Sequence, residues 1–241
     1  MELRELLFEL RENILHDRSD RTSGHADVLW SDETLVRYIN EAQRRLAHQG
    51  LVIRDGTSAI TQVTLATDDA LYPLDKAVLA VISARLAGEA FDMVRVNHGQ
   101  LNGRATQESG KPVYFATDEH HALVASANPM SAMTLRVHPA PSASYDGDVV
   151  GLRVVRMPLT TLKLGSVETL EVPEEHHLEM LDWAAYLALR IVDADAGDPA
   201  RAQEFRASFE QHVRAARQMA LRRLFAPSDW GFGRNGWVWE N

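Results

Sequence analysis

The densest group of side chains able to do chemistry is Glu174-Glu175-His176-His177, with Glu179 close behind. Imidazole and carboxylate groups suit zinc or iron, and residues three or four apart on a helix converge on one face. Glu175 with Glu179, and His176 with Glu179, meet that spacing. A metal-dependent hydrolase built on His176, His177 and Glu179 is therefore one reading of the chain. Against it, no His-Glu-x-x-His occurs, and the first turn of a helix attracts acids whatever its function. A structural origin is preferred. His120-His121, after Asp118-Glu119, is a weaker cluster of the same kind.

Other chemistries find less support. The loop between Asp17 and Asp27 lacks the regular oxygen spacing of a calcium site and reads as a local turn with solvated carboxylates. No Gly-x-Gly-x-x-Gly, Walker glycine–lysine loop or Gly-x-Ser-x-Gly occurs. The expectation is no catalytic residue, no metal and no cofactor. With no cysteine among 241 residues, disulfides and thiolate metal sites are excluded. Lys plus Arg total 25 against 34 Asp plus Glu, a formal charge of −9, which argues against broad adsorption to nucleic acid. It does not forbid a passage for DNA, because a sliding duplex is served by weakly repelling walls. No apolar run is long enough to span a bilayer, so no membrane partner is expected, and the first residues do not read as a secretory signal.

The elements that would position these groups are helices at both ends and strands between. Leu3, Leu6, Leu7, Leu10 and Ile14 recur at helical spacing over three to four turns. Ser31 can cap a second helix, with Asp32 and Glu33 in its first turn, Trp30 stapled to Leu35 and Gly50 as its C-cap. Leu35, Ile39, Ala42 and Leu46 form its inward stripe. From residue 51 to about 170 the pattern becomes short β-prone runs. They are centred on Ile60–Leu65, Val78–Ile82, Met93–Val96, Val113–Phe115, Leu123–Ala125, Leu135–Val137 and Val149–Val155, with Asp55-Gly56 and Asp146-Gly147 as turns. An antiparallel sandwich or partly closed barrel is predicted there.

A third helix is expected to start at Pro173, with His177, Leu181, Ala184, Leu187, Ala188 and Ile191 inward. Gly197 ends it, Asp198 caps a fourth, and Pro199 starts that helix, which runs to about Phe225, roughly 40 Å. Its stripe is Ala202, Phe205, Phe209, Val213, Ala216, Ala220 and Leu224. So short a connection makes the last two helices antiparallel. The predicted class is α+β: an antiparallel helical bundle of residues 1–50 and 171–225, an inserted β domain at 51–170, and a tail at 226–241.

Two surfaces are candidates for contact. Trp183, Tyr186 and Arg190 lie on one side of the third helix, and Arg214, Arg217, Arg222 and Arg223 gather at the end of the fourth. Both sets are subunit-interface candidates, although dipole complementarity also explains the arginines. In the tail, Trp230, Phe232, Trp237 and Trp239 stand among Gly231, Gly233 and Gly236, with Arg234 able to add an ion pair. Aromatic side chains spaced by glycines form no regular core and resemble a docking peptide.

Several stretches resemble the head-to-tail adaptor proteins of tailed bacteriophages. They are the helix phrase from Leu29-Trp30-Ser31-Asp32-Glu33 to Arg44-Arg45-Leu46, and Leu170-Glu171-Val172-Pro173-Glu174-Glu175-His176-His177 with Leu181-Asp182-Trp183-Ala184-Ala185-Tyr186. Asp193-Ala194-Asp195-Ala196-Gly197-Asp198-Pro199-Ala200-Arg201-Ala202 with Phe209, and Tyr72-Pro73-Leu74, complete the set, which brackets residues 29–225. The resemblance implies a non-enzymatic ring subunit, commonly in twelve copies, beneath the portal at the portal–tail junction of a virion, and made in the host cytoplasm. It implies a helical bundle with a β domain, a terminal extension that climbs onto the portal, and genome DNA passing through the channel without sequence-specific binding. The tail and the large β insertion look closest to podovirus adaptors that receive the tail nozzle. A virion tail module without portal contact is the remaining alternative.

Overall fold

The computed structural model describes residues 1–17, 29–97, 101, 109–117, 133–165, 169–190 and 198–224. The expectations for His120-His121, Leu123–Ala125, Ile191, Gly197 and the tail with Trp230, Phe232, Arg234, Trp237 and Trp239 fall outside these residues. The chain is mixed helix and sheet and divides into two units: Met1–Ile53 with Pro158–Asn241, and Arg54–Met157.

The helical unit begins with α1, Leu3–Phe8, which continues as a π-helical segment, Glu9–Leu15. Leu3, Leu6 and Leu10 are buried as the spacing predicts, but Leu15 closes the stripe while Ile14 is only partly buried. The wider π turn is the reason: it moves the inward position to five residues after Leu10. His16, at φ 56°, ends the helix in the left-handed region. Asp17, expected to be solvated, is 4% exposed. Its carboxylate accepts from Arg11 at 2.6 Å and from the backbone N–H groups of Leu29 and Trp30. The same guanidinium donates to the Trp30 carbonyl and to Asp32, so one arginine joins the end of the first helix to the start of the next.

That next helix, α2, is Asp32–Gly50, with Ser31 as N-cap accepting from the Thr34 N–H and Trp30 buried before it. Gly50 is not the cap. The helix runs through it, and Leu51 takes the left-handed position at φ 56°. Gly50 is small for a packing reason: an added Cβ would lie 3.2 Å from both Leu46 and Val52 and 3.6 Å from Ala216.

The third helix, α3, is His177–Leu189 and starts later than expected. Pro173 is extended at ψ 143°, and Glu174–His176 form a 3-10 turn ahead of the α-helix. Pro173 therefore serves as an entry corner rather than as the first helical residue. Helix α4, Pro199–Leu224, is capped by Asp198, whose carboxylate accepts from the Arg201 N–H. Contacts of Leu189 with Asp198, Trp183 with Phe209 and His176 with His212 show that α4 returns along α3. Ala202, Phe209, Val213, Ala216 and Ala220 are buried, and Phe205 is half-buried.

The second unit is built around two sheets. Strand β1 is Arg54–Asp55, β2 Gln62–Thr64, β3 Leu71–Pro73, β4 Val78–Leu86 and β5 Val94–Arg95. Strand β6 is Ser109–Gly110, β7 Tyr114–Thr117, β8 Thr134–His138, β9 Ala140–Pro141 and β10 Val149–Arg156. In one sheet β10 pairs antiparallel with β4 along one edge, while β1 and β2 share the other. In the second sheet the order is β3-β8-β7-β5. The pairs β5–β7 and β6–β9 run parallel, which the expectation of an antiparallel domain did not include.

Two register shifts explain why Val78, Val81 and Ala84 all face the core although they lie three apart. Opposite Val154 and Arg156 the β4 strand carries one extra residue each time, so each shift returns the next third residue to the inner face. Val81, Leu86, Phe115, Leu135, Val137, Val150, Leu152 and Val154 join one apolar cluster fed by both sheets. Tyr72 completes it: its hydroxyl donates to the Asp69 carbonyl at 2.7 Å and accepts from the Ala66 N–H, tying down the turn where Asp68 takes φ 58°.

Replacing Asp17 with Ala would strand the Leu29 and Trp30 N–H groups and remove a buried partner of Arg11. We expect a loss of about 3 kcal/mol in urea denaturation followed by helical circular dichroism. A loss below about 0.5 kcal/mol, the level of an ordinary surface change, would contradict the anchoring role.

Candidate functional site

The histidine–glutamate group is drawn apart by its own backbone. His177 Nε2 lies 2.8 Å from the Val172 carbonyl, and because a carbonyl only accepts, that nitrogen carries the proton. Its Nδ1 is buried with no partner. His176 turns instead to α4, with Nδ1 3.0 Å from His212 Nε2 and the rings edge to face. Glu175 lies 3.6 Å from the other nitrogen of His176. Glu174 points elsewhere and pairs with the Met1 ammonium at 2.8 Å. Among the described residues no three His, Cys, Asp or Glu side chains come together as a metal cage. Their partners separate them: His176 is taken by His212, His177 by the Val172 carbonyl and Glu174 by the Met1 ammonium.

The electrostatics fit a structural joint. Burial, and then the neighbouring His212, lower the pKa of His176 against the pull of Glu175 and Glu179. Burial raises that of Asp182, opposed by a hydrogen bond from Ser208. At 3.0 Å one ring of the His176–His212 pair must donate and the other accept, so protonating both breaks the contact.

The residues that organise the helical unit are polar groups in the inward face of α2, which pattern reading passed over. Asn40 is buried, donates to the Leu162 and Val36 carbonyls and accepts from the Leu162 N–H at 2.9 Å. Gln43, also buried, accepts from the Glu171 N–H. Glu171 in turn accepts from the Leu159 and Thr160 N–H groups. The segment that returns from the β unit is thus held to α2 by amide side chains. The available signal was two amides, Asn40 and Gln43, next to the apolar positions Ile39 and Ala42.

Of the expected contact residues, Trp183 is 5% exposed, its ring centre 5.2 Å from that of Phe209 and 4.8 Å from that of Tyr186 in tilted contacts, with the Arg45 guanidinium 3.8 Å from its ring. Tyr186 is half-buried and Arg190 exposed. Arg214, Arg217, Arg222 and Arg223 are all exposed along α4. Beside Trp183, a cleft of about 790 Å³ is lined by α2, the 161–164 segment and α3.

A family model described as SU10 adaptor protein matches residues 1–230, and the chain belongs to that family of phage head–tail adaptors. No curated protein matches the chain. Membership implies a structural connector role in the virion, with portal and tail components as partners, rather than a catalytic one. Among the described residues no helix is long and apolar enough to cross a membrane.

The direction of the His176 shift sets a pH dependence. The unfolded chain takes up this proton as pH falls through about 6.5, before the folded chain does, so stability is lost below that pH and is complete above it. Asp182 has the opposite sign, because its raised pKa costs stability as pH rises from the carboxylate range. The melting temperature should be lower at pH 5 than at pH 7.5, and His176→Gln should reduce the difference. An unchanged difference in that variant would contradict the assignment.

Proposed function

We propose that the chain is the repeating subunit of a ring, in the twelve copies common among such adaptors, seated beneath the portal and receiving the tail nozzle. Genome DNA passes through its channel without sequence-specific contacts. The family match over residues 1–230 carries this reading. In it, the helices close as an antiparallel bundle that forms the ring body, and the β unit, a sandwich or partly closed barrel, meets the next tail component. A net charge of −9 suits a wall along which DNA must slide rather than adhere.

The interface candidates divide by depth. Tyr186 and Arg190 lie at the surface over Trp183, and the exposed Arg214, Arg217, Arg222 and Arg223 offer a basic stripe to an acidic neighbour. Residues 226–241 are assigned to the portal, with Trp230, Phe232, Trp237 and Trp239 as anchors and Arg234 as a directional ion pair. Tryptophan and arginine are the residue types that most often dominate interfaces.

Deleting residues 227–241 should weaken binding to the cognate portal roughly tenfold or more, since each tenfold is only about 1.4 kcal/mol and one buried indole can exceed that. Circular dichroism and melting temperature should not change. Portal affinity equal to that of the full chain would reject the tail assignment. A truncated or full chain that enters tailed particles without touching the portal would favour the tail-module alternative.

A further inference from the structure

We propose that the cleft beside α2 receives the entry of α3 from a second copy of this chain, with Leu178 over its apolar floor and Glu175 against its cationic rim. The Glu174-Glu175-His176-His177 group has two sides. His176 and His177 are buried, whereas Pro173, Glu174, Glu175 and Leu178 are exposed around the same entry. Glu174 is taken by the Met1 ammonium, but Glu175, its side chain 58% exposed, has the His176 ring beside it at 3.6 Å. Burial and then His212 lower the pKa of that ring, so at neutral pH Glu175 has no cationic partner among the described residues. The helix dipole accounts for an acid at this place. It does not account for Leu178, 52% exposed on a helix that is otherwise enclosed.

The cleft is the complement of this entry in polarity and in charge. Its floor includes the buried Val36, Leu162 and Leu187. Around them the exposed Arg37, Arg44, Lys163 and Arg190 outnumber Glu33 and Glu41. Arg44 donates to the Thr161 hydroxyl at 3.3 Å, and among the described residues no carboxylate pairs with Arg37, Arg44 or Arg190. In a protein of net charge −9, a basic recess without paired carboxylates is matched by an apolar side chain that carries its own acid. Cleft and entry are different patches of one molecule, so the contact is head to tail and repeats into a ring when its rotation closes. The proposal rests on the ring-subunit reading and names two surfaces that such a ring would use.

The absence of cysteine makes a direct test available. Full-length chains carrying Leu178→Cys and Leu164→Cys singly are mixed with the cognate portal and treated with a short bifunctional maleimide. The two chains should cross-link at least tenfold faster than a control mixture of Met219→Cys with Leu164→Cys, all three positions being exposed. Glu175→Cys replaces Leu178→Cys if the latter loses helical circular dichroism. Negative-stain images of the same mixtures separate the failures. Rings on the portal with cross-linking no faster than control would overturn the docking site and leave the ring reading standing. No ring and no faster cross-linking would overturn both.

Discussion

Helix α3 has almost no side of its own to give to water. Met180, Leu181, Trp183, Ala184, Ala185, Leu187, Ala188 and Leu189 are all buried, and within Leu178–Leu189 only Leu178 is exposed. A helix that is apolar all round must be enclosed by others, or its burial free energy is not realised. The alanines bring its neighbours close, and α2, α4 and the first helix supply the cover. This requirement draws the two ends of the sequence into one unit and leaves residues 54–157 as an excursion from it.

The enclosure is fastened by a small number of polar contacts at places where apolar packing alone would not choose a register. Arg11 and Asp17 fix where the first helix ends relative to α2. Asn40 and Gln43 fix where the chain re-enters from the β unit. The Arg201 guanidinium donates to the Ile14 carbonyl, joining the start of α4 to the end of the first helix. Asp55 does comparable work in the other unit, where burial would raise its pKa but hydrogen bonds from Ser58 and Thr57 and the Arg156 guanidinium lower it well below the usual carboxylate range. These groups secure geometry.

What could be read from the sequence followed from how local its physics is. The Ser31 and Asp198 caps, the α2 and α4 stripes and the principal strands depend on neighbouring residues and were legible. Features that depend on partners distant in sequence were not. The π turn that substitutes Leu15 for Ile14, the close approach that requires Gly50 and the shifts that put Val78, Val81 and Ala84 on one face all arise from tertiary packing. The metal reading of His176, His177 and Glu179 assumed a helix from Pro173 onward, and spacing alone does not reveal that His212 and the Val172 carbonyl take the two imidazoles. The family, by contrast, was legible because its phrases run along helices whose order and separation survive in one dimension.

Amide hydrogen exchange across α3 tests the organising claim most directly. Residues 180–189 should exchange only by the opening that also releases α2 and α4, at the slowest rate in the helical unit. Exchange in α3 while 35–47 and 205–216 remain protected would show that α3 is peripheral, and the architecture built on its enclosure would be wrong.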